Sequence, residues 1–272
     1  MEVKIIMIAE DFEYAGEYLK DWGCIICRSN TPNSFETIDN ISQLTFDQIS
    51  QFNGKRMMLT TSHYDDRIEI NFQICKFRCP VGVTAFSSFE LRELKRWLNR
   101  PGYHKFKLLQ PEWSDYYMIG SFNINELQVT GVTYLLDLTF ISNSSLAFHE
   151  PVYHKFQLRD TTNTYTLFDT SDEIGYIYPD LKIICLESGK LELYNSNENR
   201  KTIIENCSAN EVINFSENLV FSSSNESHKI QNDFNYIFFR IANSYGNRKN
   251  IISSSIPVDI EFSYSPYVKV VV

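Results

Sequence analysis

The sequence has little of what catalysis, fibres or membrane spans are built from. Ten glycines and eight prolines among 272 residues exclude collagen-like and linker-dominated classes. The five histidines, at 63, 104, 149, 154 and 228, are scattered, and none has a second ligand at metal spacing. A glycine-rich phosphate loop, a G-x-S-x-G elbow and an H-E-x-x-H helix are all missing. No segment approaches the roughly 20 apolar residues that cross a bilayer, so membrane insertion is not expected. The opening "MEVKIIMIAEDFEY" carries acids where a secretory signal carries a basic region, which points to a chain made and folded in the cytoplasm.

Clustered positive charge is also scarce. The net charge is −9, and the acidic excess is spread over both halves. The densest basic group, Arg92, Lys95, Arg96 and Arg100, reads as the polar face of one helix broken by Glu90 and Glu93. Gripping a duplex needs a basic stripe that displaces phosphate counterions, so sequence-specific nucleic-acid binding is not expected.

Six cysteines stand at 24, 27, 75, 79, 185 and 207. Cys24-x-x-Cys27 and Cys75-x-x-x-Cys79 could in principle give a zinc four thiolates, but "NFQICKFRCPVGV" reads as a strand rather than a knuckle. Small buried hydrophobes in a reducing compartment is the better reading. Asp65-Asp66 are neighbours at a strand start, so their carboxylates diverge and read as a solvated turn. No residue is assigned a catalytic, cofactor-binding or metal-ligating role, and an enzyme is not expected.

What is present is a core. Hydrophobic residues make up 43% of the chain and aromatics 14%, with 16 Tyr and 20 Phe. One segment reads as helix, near 88–99. In "SSFELRELKRWLNRPG", Ser87 and Glu90 have capping-box spacing, Phe89, Leu91, Leu94, Trp97 and Leu98 supply apolar positions at mostly helical spacing, and Pro101-Gly102 stops the run. Elsewhere the first half reads as strands: 57–62, 67–77, 104–110, 116–123 and 133–142. Over 67–77 the alternation puts Ile68, Ile70, Phe72 and Ile74 on one face.

The pattern resets at Glu150-Pro151. Short strands follow at 190–195, 201–207, 211–215, 219–223, 236–243 and 258–264, separated by Asn- and Ser-rich turns, with no helix visible. Strands spaced about ten residues apart are the signature of a sandwich or jelly roll. The expected fold is mainly β, with domains at 1–150 and 151–272. A sugar-binding second domain is a competing reading, although all three tryptophans, 22, 97 and 113, lie in the first half.

Four segments, "LRELKRWLNRPG", "HKFKLLQP", "WSDYYMIGSFN" and "YLLDLTFISNSSLAFHEP", occur in an order that resembles the first domain of siphophage distal tail (Dit) proteins. "GKLELYNSNENRKTIIENCSANEVINF" is similar to the galectin-like second domain of that family, and Glu150-Pro151-Val152-Tyr153 stands where the family has Asp-Pro-Tyr. The resemblance implies a ring-forming N-terminal β domain (a sandwich or split barrel with one helix) and a galectin-like C-terminal sandwich. It implies a homohexameric ring in the baseplate that joins the major tail or tube protein to a tail-tip hub protein of the tail-associated lysin type. Receptor-binding proteins are often attached to such rings. The location implied is the tip of a virion encoded by a phage or prophage, with no cofactor and no catalysis.

A ring closed head to tail needs contacts on two sides of each protomer. Interfaces favour Tyr, Trp and Arg, which makes Arg96, Arg100, Trp113, Tyr116 and Tyr117 the expected interface residues. The polar stretch 31–56 reads as an arm towards a neighbour or as a loop.

Overall fold

Two-residue alternation sets nearly every element. The computed structural model describes residues 9–27, 44–49, 59–64, 67–78 and 82–270. Asp65, Asp66, Cys79 and most of 31–56 lie outside them. The first half contains β1 (Phe12–Tyr14), β2 (Glu17–Tyr18), β3 (Cys24–Cys27), β4 (Leu44–Ile49), β5 (Leu59–Tyr64), β6 (Glu69–Arg78) and β7 (Gly82–Thr84). Helix α1 (Ser88–Leu98), β8 (His104–Leu108), β9 (Tyr116–Val129), β10 (Val132–Ser142) and β11 (Ala147–His149) follow. The second half contains β12 (Val152–Leu158), β13 (Tyr165–Phe168), β14 (Gly175–Ile177), β15 (Asp180–Cys185), β16 (Gly189–Asn195) and β17 (Arg200–Cys207). These are followed by β18 (Val212–Phe215), β19 (Phe221–Ser223), α2 (Ile230–Asp233), β20 (Ile241–Asn243), β21 (Lys249–Ser254), β22 (Val258–Tyr264) and β23 (Tyr267–Val268). The protein is mostly β.

The chain divides into two compact units, 1–148 with 268–272, and 149–267. In the first, the path β2-β1-β8-β9-β10-β6-β3 forms an open sheet with β7, β11 and β23 beside it, and β4 pairs with β5 as a separate hairpin. The inward face of 67–77 is the one its alternation implied, with Ile68, just before β6, and Ile70, Phe72 and Ile74 within it all buried. Val268 and Val270, at the far end of the sequence, return to this core.

Aromatic rings fill the centre of the first unit. Phe106 stacks on Phe140 at 4.3 Å between centroids, and Phe122 meets Phe12, Tyr14, Phe72, Phe106 and Phe140 at 5.0–5.9 Å. Rings at these spacings and tilts add roughly 0.5–1.5 kcal/mol per pair beyond burial. Trp97 binds α1 to this cluster. It stacks between Phe12 and Trp22, and its indole N–H donates to the Tyr14 carbonyl at 3.0 Å. The capping box forms as the spacing predicts, with Glu90 N–H donating to Ser87 Oγ and Ser87 N–H donating to the Glu90 carboxylate.

The second unit is a sandwich. A five-stranded sheet, β12-β22-β15-β18-β19, and a four-stranded sheet, β13-β21-β16-β17, contribute to one core. Leu181, Ile183, Ile260 and Phe262 come from the first sheet, and Leu191, Leu193, Ile204 and Ile252 from the second.

Two expectations for this half need correction. A four-residue helix, α2, is present; it is too short to leave an apolar period in the sequence. The strand expected over 236–243 shrinks to Ile241–Asn243. Tyr236 takes a left-handed φ of 58°, which breaks extension, and Phe238 turns its ring towards Phe215, Phe221 and Phe234.

The segment carrying α2 is held by a buried charge cluster. His228 Nε2 lies 3.0 Å from Asp233 Oδ2, and Nδ1 bonds Glu211, whose carboxylate also accepts from Ser223 Oγ and the Ser208 amide. Burial works against a charged imidazole, but the bond to Glu211, aided by Asp233 and Cys207, raises its pKa above the ordinary 6.5.

Two outcomes are expected. Gly120 sits so close to β10 that an added Cβ would lie 2.3 Å from the Ile141 carbonyl and 2.5 Å from the Phe140 ring. Gly120→Ala should therefore cost about 1–3 kcal/mol in urea unfolding. A raised folded-state pKa at His228 stabilises fully below the unfolded value and fades as pH rises through the folded one. Melting temperature should thus fall on the alkaline side of 6.5, and His228→Gln should flatten that slope.

Candidate assembly surface

The five expected interface residues separate by burial. Trp113 ends a 3₁₀ turn, Pro111–Trp113, and is 1% exposed. Tyr116 opens β9, is also buried, and has its ring 5.7 Å from that of Trp113. Both belong to the core of the first unit and leave little side-chain area on its surface. Aromatic rings suit an interface and a core alike, so residue type alone does not separate the two.

Tyr117 points the other way along β9. It is half-buried, stacks on Phe148 at 5.7 Å, and lies under Lys105 Nζ at 4.4 Å. Arg100 is half-buried, with its guanidinium 5.9 Å from the Tyr14 ring centre. Burial raises the Tyr14 phenol pKa, and Arg100 offsets part of that rise. Arg96 has its side chain 82% exposed and pairs loosely with Glu93 one turn earlier, at 3.7 Å. Of the five, Arg96 presents the most side chain to solvent, and Tyr117 and Arg100 present part of theirs.

The surface that sequence reasoning missed is the tip of the β9–β10 hairpin. Pairing of β10 with β6 ends at Leu135↔Cys75, whereas pairing with β9 continues to Val132↔Val129. The hairpin therefore outruns the sheet. Thr130 and Gly131 take φ of 51° and 78°, the two positive values that a tight two-residue hairpin turn requires. Along the projecting part, Leu127, Val129, Val132 and Tyr134 are exposed, Val129 at 62%. A register shift between Thr133 and Leu135 turns Tyr134 out of the ladder.

Polar bonds fix the tip. Glu126 accepts from Lys95 of α1, from Thr133 Oγ1 at 2.8 Å and from Gln128 at 3.3 Å, and these bonds, Lys95 first, hold its pKa below the usual carboxylate range. The Thr133 carbonyl also accepts from the Phe86 amide. The signal in the sequence was "LQVTGVTY", a turn flanked by β-branched and aromatic residues where hairpin tips are usually polar.

Cys24 and Cys27 lie at opposite-facing positions of β3, Cys24 and Cys75 are buried, and burial pushes the Cys24 thiol up to about 12. Cys185 and Cys207 are buried in the sandwich core. Among the described residues, no three His, Cys, Asp or Glu side chains gather as a metal would need.

Two protein-family models match the chain. Residues 7–144 match the family model "Phage tail protein N-terminal domain", and residues 146–264 match "Phage tail C-terminal domain". No curated protein matches. Among solved structures, the Dit protein of phage SPP1, described as a paradigm of the hub adsorption apparatus in phages infecting Gram-positive bacteria, shares the fold. The TM-score is 0.62 at 12% identity, covering 94% of this chain and 98% of that one.

Truncation separates core from surface. Trp113→Ala should destabilise the monomer by about 3–5 kcal/mol, and Arg96→Ala should stay within about 0.5 kcal/mol in the same urea titration.

Proposed function

Because the chain belongs to the phage tail protein family described by these two domain models, we propose that it is the distal tail protein of a siphophage, a structural virion component that closes into a homohexameric ring. Its N-terminal unit forms the ring and its C-terminal unit, a galectin-like sandwich, faces outward. The ring joins the tail tube protein to the tail-tip hub, and receptor-binding proteins attach to it. The observation that carries this reading is the Dit fold running over 94% of the chain, together with both tail domains in their order.

In this role, function lies in surfaces rather than reacting groups. A six-fold ring closes head to tail, so each protomer presents two different patches. The apolar hairpin tip, Leu127, Val129, Val132 and Tyr134, is one of them, and the Arg96 face of α1 belongs to the same assembly surface. Closure buries the tip's apolar side chains, which water disfavours at about 25 cal/mol per Å². The acidic balance of the chain suits a lumen through which DNA slides without being gripped.

The test is solution mass by light scattering with negative-stain images. Six copies of a 31.8 kDa chain in ring-shaped particles is the expected result. Val129→Asp with Val132→Asp should leave a folded monomer. A wild-type chain that stays monomeric at every concentration and in the presence of hub protein contradicts the ring.

A further inference from the structure

The second unit leaves one long sheet edge open. Strand β12 ends the five-stranded sheet and pairs with β22 alone. In an antiparallel ladder every second residue turns both its N–H and its C=O away from the neighbouring strand. Among the described residues, nothing bonds the backbone groups that β12 turns outward over Val152–Leu158. The other edges of this unit are short or covered. Strands β13, β14, β19 and β20 run three or four residues. The edge of β17 is closed along its middle: the Asn235 amide donates to the Ile203 carbonyl at 3.0 Å, and the Asn235 side chain accepts from the Ile203 amide and donates to the Lys201 carbonyl. Proteins usually cover or blunt an edge as long as β12.

Burial marks the same strand as unfinished. On β22, Val258, Ile260, Phe262 and Tyr264 are all buried. Their neighbours on β12 in the same face, Phe156, His154 and Val152, are only half-buried, although Val152 and Phe156 pack on this core and the His154 ring lies 4.8 Å from that of Phe262. One more strand beside β12 would carry the inner face over them.

Charge selects the occupant. Residues 152–159, "VYHKFQLR", hold Lys155 and Arg159 and no acid. Lys155 lies on the outer face with Tyr153 and Gln157, and all three are exposed. Lys155 bonds Glu261, and Arg159 bonds Asp259 at 3.2 Å, yet both cationic side chains stay exposed. A second copy fits poorly, because two-fold pairing of β12 about its centre sets Lys155 against Lys155, and like charges directly opposite destabilise a ladder. We propose that β12 takes up an extended segment of a partner protein as a further strand, apolar on the inner face and acidic on the outer one. Backbone bonds along the edge supply affinity, and the side chains on its two faces supply the choice of sequence. Apolar residues of the segment cover Val152, His154 and Phe156, and its acids meet Lys155 and Arg159.

The inference is independent of the ring: a chain that closes rings and leaves this edge unpaired overturns only this inference. The experiment uses the full chain and hydrogen–deuterium exchange resolved to single amides. The probes are an acetylated heptapeptide alternating valine and glutamate, its valine–lysine counterpart, and the glutamate peptide with proline at its centre. In the free chain, amides over 152–158 should alternate between slow and fast exchange. The glutamate peptide should slow the fast set by about tenfold or more, and the other two should change it by less than about twofold. Lys155→Glu should weaken the glutamate peptide by about tenfold and admit the lysine peptide. Arg159→Glu should shift the preference the same way, which covers the case of a Lys155→Glu chain disturbed at Glu261. No slowing by the glutamate peptide overturns the proposal, and so does equal slowing by the lysine peptide. Uniformly slow amides in the dilute free chain would mean that a segment of the same chain fills the edge. Protection of 152–158 that grows with protein concentration alone would mean a second copy. Either result overturns the proposal.

Discussion

Everything in the first unit is arranged around one aromatic cluster. Phe122 touches five other rings, and those rings belong to β1, β6, β8 and β10. Removing Phe122 would therefore loosen four strands together. The cluster sets the spacing of β9 and β10 at Gly120, where only the absence of a Cβ lets the Phe140 ring and the Ile141 carbonyl come so near. It also anchors the helix, because Trp97 lies on Phe12 and bonds the β1 backbone.

The same cluster explains what is left exposed. It packs only the lower half of the 14-residue strand β9, whose burial alternates as far as Phe122 and then gives way to exposed positions. Past the Leu135↔Cys75 pair, where β6 stops pairing with β10, the hairpin is held by its own ladder and by the bonds of Glu126, Thr133 and Lys95. Apolar side chains on an arm this well fixed cost solvation in the isolated chain. In the ring we propose, a neighbouring protomer covers them and recovers that cost. Rigid polar anchoring at the base with apolar groups at the end suits a contact that must keep one geometry through a closed ring.

Much of this was legible before the structure. The alternation of 67–77, the capping box at Ser87 and Glu90, and the strand pair 116–123 and 133–142 are local signals, and each has a local physical cause. Signals that depend on distant contacts were not legible. Trp113 and Tyr116 are of types that suit an interface and a core alike, and only the closed fold buries them. Val268 and Val270 return to the first core across more than 100 residues, and nothing in "YVKVVV" announces it. Asparagines read as turn formers, yet Asn250 is fully buried and bonds Asn195 and the Ala242 backbone, tying the β20 loop to the sheet. The open edge at β12 was invisible for the same reason: which strand ends a sheet depends on pairings across the chain.

The account rests on the claim that the hairpin tip is an assembly contact rather than a free arm. Hydrogen–deuterium exchange of the amides over 124–134, compared between dilute protein and the assembled state, measures this directly. Slower exchange at the tip on assembly, with the amides around Phe122 unchanged, is the predicted result. A tip that exchanges equally fast in both states would contradict the claim.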